Sequence, residues 1–397
     1  MNRPTWNTRL WQAETLKQVM AKPDAYAPAV ARLRQEAEQA LTFAPVSVMD
    51  KERVPPSGDK HDYMSMGPYW WPNPETADGL PYVRRDGEQN PERNELDNRP
   101  LGAVCRHTQT LALAATLFDD DQYAAHAATL LRTWFLDPET RMNPHLEYGQ
   151  SIPGKCDGRG IGIIDTAGTL PRVVDALELL GTRPVWTAAD IAGMQAWMRA
   201  YLDWLLHSAH GQDEARAANN HGTYFDMQAV ALALYTDQPD TARSILEAVP
   251  EKRFAVQIEP DGAQPLELAR TNSRGYSLMN TLGYVNLAIL GAPLGVDLWE
   301  RQASAGRGLR LAIDWFIPYI KGEKEWAWQQ ISTFTADRYA PLFHHAAIQY
   351  GEPRYRQIVE QTAAADFTAE RLHLTAPAGP QTVRVHADSQ VRRDRRT

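Results

Sequence analysis

At 397 residues, with 43% hydrophobic and 23% charged residues, the chain has the composition of a soluble globular protein that can bury a sizeable core. A formal net charge of −8 argues against a nucleic-acid partner and requires any polyanion to be met by a locally basic cleft. No run of about 18 uncharged apolar residues occurs, so no membrane span is expected. Cys105 and Cys156, the only cysteines, make neither a disulfide framework nor a Cys-rich zinc site.

In chain order, the opening "MNRPTWNTRLWQAETLKQV" lacks the apolar stretch of a signal peptide, which leaves a cytoplasmic protein or one that has lost a leader. Helical periodicity then recurs at 24–43, 100–118, 121–136, 165–181, 187–208, 221–236, 239–248, 273–291, 297–320, 336–350 and 353–371. Turn signals such as "GTRP", "TDQPD", "GAPLG" and "GEP" separate many of these segments. "TVRVHA", close to the C-terminus, is the best strand candidate. Helices with short connections predict an all-α fold of antiparallel helical hairpins, stacked as a solenoid or closed into an α/α toroid. One domain over 1–375 is expected, followed by a basic tail at 376–397 that frays into solvent.

Two stretches break the periodicity. The first, "HDYMSMGPYWWPNPETADGLPYVRRDGEQNPE" (61–92), lies within a long Pro-rich loop at about 54–98. A long loop in a compact domain is functional or disordered, and disorder would deplete aromatic residues. Tyr63, Tyr69, Trp70, Trp71 and Tyr82 lie here beside Lys60, His61, Arg84 and Arg85, a mixture suited to an acidic sugar chain, although the same tryptophans could simply staple the loop to the helices. The second, "GKCDGRGIGIIDTAGTLPRVVDAL" (154–177), carries closely spaced glycines, but no strand precedes them and the dinucleotide-loop spacing is not met. A tight turn leading into a helix near Asp165 is the better reading.

Chemistry-bearing residues concentrate in two places. "AANNHGTYFDMQAVALALY" (217–235) opens a helix on Asn219, Asn220 and His221, although one cap suffices to start a helix. "QPLELARTNSRGYSLMNTLGYVNLAIL" (264–290) places Arg270 and Arg274 at a helix start, with Tyr276, Asn280 and Tyr284 following at four-residue steps on one face. Singly, each has an ordinary structural explanation. Together they supply an amide, an imidazole, a guanidinium and a phenol, a coherent catalytic set. In "KEWAWQQI" (324–331), Trp326 and Trp328 read as core, while Gln329 is a candidate for substrate contact. No histidine pair has metal-ligand spacing, so no metal or other cofactor is expected.

"NNHG" before an apolar helix, then "ELARTNSRGY", resembles the alginate lyase superfamily of helical polysaccharide lyases. "YMSMGPYWWPNP…GLPYVRRDGEQNPE" is similar to that family's aromatic lid, and "GIGIID" also fits its pattern. The resemblance covers about residues 60–290. It implies an α/α toroid, often incomplete, that cleaves 4-linked uronic acid polymers by β-elimination, and it implies a periplasmic or secreted location. Larger members carry an appended β-sandwich, for which the residues after 375 leave no room, so a single-domain lyase is expected. Tyr276, His221, Asn220 and Arg270 are then the expected catalytic residues. Arg274, Tyr63, Tyr69, Trp70, Trp71, Arg84, Arg85, Asn219, Asn280 and Gln329 are the expected substrate contacts. Asn219 is assigned to the helix start and Asn220 to the sugar carboxylate. Alginate containing mannuronate is the expected substrate, with glucuronan as the alternative because the two sugars differ only at C2. Rival readings are an α/α-barrel glycoside hydrolase drawing on Asp165, Asp213, Glu214 or Glu323, which would need two carboxylates about 5–9.5 Å apart, and a non-catalytic binder of acidic polysaccharide.

Overall fold

A computed structural model describes residues 7–376; "TVRVHA" and the basic tail lie outside the described residues. The expected helices are present in large part. Asn98–Phe118 turns its apolar face inward through Leu101, Val104, Thr108, Leu111, Ala112 and Ala115. Its small residues let Asp121–Leu131 and Leu170–Leu180 pack closely on either side. Ala188–His207 begins with a capping box in which Thr187 and Asp190 bond reciprocally. The 121–136 segment ends in a wide helical turn at Arg132–Leu136, and the 353–371 segment stops as a helix at Thr362.

Asn220–Tyr235 occupies the centre. It packs against Ser273–Gly291, Pro239–Val249, Ala188–His207, Leu170–Leu180, Ala209–Ala215 and the short Ile164–Ala167 helix. Surrounded in this way, it is apolar on nearly every face, as a core helix must be. Its one buried acid, Asp226, is met by Arg253, whose Nε lies 2.6 Å from Oδ2 and Nη2 3.0 Å from Oδ1. The same guanidinium donates to the carbonyls of Ala217 and Ala215, fixing the chain that leads into Asn219. Gly222 is required by this arrangement. A Cβ there would stand 2.1 Å from Arg253 Nη1 and 2.2 Å from the Ala217 carbonyl oxygen.

One helical expectation fails. Residues 297–320 hold only Leu309–Asp314 and Ile317–Ile320, with a turn at Ser304–Gly306 ahead of them. Gly306 has φ +73°, which interrupts the periodic run. A helix at Ala13–Ala21 and a short one at Ala209–Ala215 were not anticipated.

The Pro-rich loop is an ordered cover. Trp70–Trp71 pairs antiparallel with Val83–Arg84, and Met64–Met66 pairs parallel with Tyr148–Ser151. Asn90, almost fully buried, ties the ribbon by donating to the Trp70 carbonyl from its side chain and to the Pro68 carbonyl from its backbone. The glycine-rich segment forms a turn at Gly160–Ile163 leading into Ile164–Ala167, as the sequence suggests. A Cβ on Gly162 would lie 2.5 Å from the Gly149 backbone, so close strand approach explains that glycine. Among the described residues, no helix is long and apolar enough to cross a membrane.

Candidate active site

The cover and the helical body enclose a cleft of about 490 Å³. Tyr69, Trp70 and Arg84 line it from the cover, and Asn219, Asn220, His221, Arg270 and Tyr276 line it from the body. Two segments far apart in sequence thus converge because Asn220–Tyr235 and Ser273–Gly291 pack side by side and start at the same end.

Tyr276 is the focal group. Its hydroxyl accepts from Arg270 Nη2 at 2.8 Å and lies 2.6 Å from the Tyr69 hydroxyl. The Arg270 guanidinium also sits 3.8 Å from the Tyr276 ring centroid. Burial and the Tyr69 contact push the phenol well above its usual range, and Arg270 opposes that rise. Arg270 is itself held by Asp86 from the cover, with Nη2 at 2.8 Å and Nε at 3.1 Å. Burial works against ionisation of Asp86, but Arg270, the Thr271 backbone and Arg84 together keep its carboxyl far below the ordinary value.

His221 places Nδ1 2.7 Å from Glu214 Oε1, and Glu214 is buried. With Nδ1 donating to the carboxylate, a neutral ring presents Nε2 as a lone-pair acceptor. Asn219 is the N-cap: its Oδ1 accepts from the His221 backbone N–H at 3.2 Å. Asn220 differs from the expectation. Its Nδ2 lies 2.8 and 3.0 Å from the two oxygens of Glu267, so its amide donors are committed to that carboxylate and not turned to the cleft. The Glu267 carboxyl is pushed up by burial, and its bonds from Asn220 oppose this.

Several expected contacts lie elsewhere. Tyr63 is fully buried and donates to Asp165 at 3.0 Å, because its ring anchors the cover from beneath. Asn280 is buried in a network with Gln257, Gln264 and Tyr284, about one turn down the helix from Tyr276. Arg274 lies over the Trp326 ring at 5.0 Å, and the exposed Gln329 offers its backbone carbonyl to Ser273. Trp71 donates to the Glu88 carbonyl under the Arg85 guanidinium, and neither residue is among those lining the cleft. Trp326 and Trp328 pack with Trp315 and Tyr319, matching the core reading.

Asp86, Glu214 and Glu267 were not assigned these roles from sequence. Glu214, one of the carboxylates of the hydrolase reading, is buried against His221, while Asp165 accepts from Tyr63, Ser65 and Gln150. Gln150 and Arg159 also line the cleft, with Arg159 bonded to Gln150 through Nε and Nη2. Among the described residues, no group of three or more His, Cys, Asp or Glu side chains is arranged to hold a metal ion.

The alginate lyase family model matches residues 47–326. An alginate lyase from Bacteroides ovatus is 42% identical, with a TM-score of 0.90 covering 94% of this chain and 99% of that one. Alginate lyase A1-III from Sphingomonas species A1 is 15% identical, with a TM-score of 0.55 over 89% of this chain and 97% of its own. A histidine-to-alanine variant of alginate lyase A1-III complexed with a tetrasaccharide gives 14% and 0.57, over 89% and 97% of the two chains. These last two likenesses are of fold, an all-α toroid. No curated protein sequence matches significantly. With the matched segment spanning both the cover and the two convergent helices, the chain belongs to the alginate lyase family and is a polysaccharide lyase.

Proposed function

We propose that the protein cleaves mannuronate-containing alginate by β-elimination, with Tyr276 as base and then acid. The observation that carries this reading is the Tyr276 hydroxyl within 2.8 Å of the Arg270 guanidinium in a cleft it shares with Asn220 and His221. The family's named activity and the tetrasaccharide bound by a relative of the same fold support an acidic oligosaccharide as ligand.

Elimination removes the C5 proton, α to the C6 carboxylate, and expels the C4 glycosidic oxygen. While the carboxylate is anionic, this places a second negative charge beside the first. Asn220, His221 and Arg270 surround the place where that charge develops, and one oriented donor is worth about 3–4 kcal/mol in such a setting. Arg270 also stabilises the phenolate that Tyr276 needs to act as base. In mannuronate and glucuronate the C5 proton and O4 are syn, so one tyrosine can take the proton and return it to O4. In guluronate they are anti, and Nε2 of His221 serves as base while Tyr276 protonates O4.

Polymannuronate, glucuronan and polyguluronate separate the substrates. Each is incubated with the enzyme while ultraviolet absorbance of the C4–C5 double bond is followed. The fastest rise is expected on polymannuronate. Tyr276→Phe is expected to abolish it, and full activity of that variant on every responsive polymer overturns the assignment. A polymeric substrate also places the enzyme's work in the periplasm or outside the cell.

A further inference from the structure

The amide proposed to meet the sugar carboxylate gives its nitrogen to Glu267 rather than to the cleft. Asn220 gives its backbone N–H to Glu267 Oε1 at 2.6 Å, and its Nδ2 is 2.8 Å from Oε2 and 3.0 Å from Oε1. An ionised carboxylate only accepts, so it must face the amide nitrogen. That leaves Oδ1 as the atom offered to the cleft, and among the described residues nothing donates to it. An oxygen presented to a uronate carboxylate repels it.

We propose that Glu267 is a proton-operated switch for Asn220: ionised in the empty enzyme, it holds the amide nitrogen, and when a uronate carboxylate enters it takes one proton so that the amide turns over and donates to the substrate. This rests on the lyase reading above. The geometry accommodates both states. After a half-turn of the amide, Oδ1 occupies the former Nδ2 position 2.8 Å from Oε2, which now carries the proton and donates it. Oε1 continues to accept the Asn220 backbone N–H. The proton comes from solvent; one O–H bond forms on Glu267, no bond to carbon changes, and the proton returns when product leaves.

The surroundings are balanced for such a switch. Glu267 is 1% exposed, and burial favours its neutral form. His221 and Arg270 face it and favour the anion, while the buried phenols of Tyr224 and Tyr284 are nearby and neutral. An arriving carboxylate adds a negative charge that tips the balance to the acid.

The test counts protons. Calorimetric titration of Tyr276→Phe with tetramannuronate at pH 8, in two buffers of different ionisation enthalpy, gives net proton uptake per ligand bound. About one proton more is expected for Tyr276→Phe than for Tyr276→Phe with Glu267→Gln, because glutamine donates permanently to Asn220 and cannot titrate. Uptake by any other group is common to both. In the active enzyme, KM on polymannuronate should rise about tenfold per pH unit on the alkaline side, a slope that Glu267→Gln removes. If Glu267→Gln does not fold, Tyr276→Phe with His221→Gln isolates the remaining uptake: about one proton supports the switch and zero overturns it. Equal uptake with and without Glu267 also overturns it. Binding of tetramannuronate without any uptake sinks this inference alone, whereas failure to bind or cleave any of the three polyuronates removes the lyase reading with it.

Discussion

The hydroxyls of Tyr69 and Tyr276 meet at 2.6 Å, one carried by the aromatic cover and the other by the first turn of the Ser273–Gly291 helix. The cover therefore reaches the group proposed to move protons. Tyr69→Phe removes one hydrogen bond to that group and leaves Arg270 in place. Because that contact works with burial to keep the Tyr276 phenol neutral, its loss should change kcat at neutral pH and move the ascending limb of the kcat–pH profile to lower pH. Thermal melts should be nearly unchanged, and unaltered kcat would detach the cover from the chemistry.

Asp86 gathers Arg84, Arg270 and both the backbone and hydroxyl of Thr271. Asp86→Ala should lower kcat/KM about 10–100-fold while the helical core melts as before. Asp86→Asn, which keeps an acceptor, should fall between. Steady-state kinetics on polymannuronate checks both.

The adjacent asparagines should behave differently. Asn219→Ala removes an N-cap and should cost about 1 kcal/mol of stability with modest loss of activity. Asn220→Ala should lower kcat about 10²–10³-fold. It also deprives buried Glu267 of its side-chain donor, at a cost of about 1–3 kcal/mol. Urea unfolding alongside kinetics separates the two effects, and abolished activity in Asn219→Ala with no loss of stability would reverse the assignment.

Arg253→Met should destabilise the protein by about 3–5 kcal/mol, because Asp226 would be left buried with only the half-exposed Lys252 near it. Gly222→Ala should also be harmful, since the new methyl collides with Arg253 and the Ala217 carbonyl. Denaturant midpoints report both losses.

Asp190 supplies a pH dependence of stability. Its bond from Arg132, against some burial, and those from Thr187 lower the carboxyl to about 2. A depressed carboxyl contributes stability above its unfolded value near 4, and that contribution is lost as pH falls through about 2. Asp190→Asn should therefore melt earlier than the parent at pH 7, by about 1–2 kcal/mol after solvent screening of the 40%-exposed Arg132 side chain. The gap should close as the pH approaches 2; a gap constant from pH 7 to 2 would refute this origin.

Most helices were legible because their apolar period is set by which face must be buried, as in Asn98–Phe118. The run at 297–320 misled because apolar residues recur there at helical spacing while the backbone turns at Gly306. At the site, the stripe Tyr276, Asn280 and Tyr284 read as one polar face. The helix starts at the cleft and runs inward at about 1.5 Å per residue, so Asn280 is about 6 Å deeper and serves the core network. Asp86, Glu214 and Glu267 resist sequence reading for another reason. Each gains its role from a partner brought by folding, Arg270, His221 and Asn220 respectively, and nothing local distinguishes these carboxylates from solvated ones.

The Asp86–Arg270 pair has an electrostatic corollary. The protein as a whole is anionic and repels a polyuronate at long range. With the cover seated, Asp86 masks the cationic heads of Arg270 and Arg84. Any motion that lifts the cover carries Asp86 away with it and bares Arg270 on the body. Asp86 thus sets how much of the Arg270 charge the cleft offers to an incoming uronate.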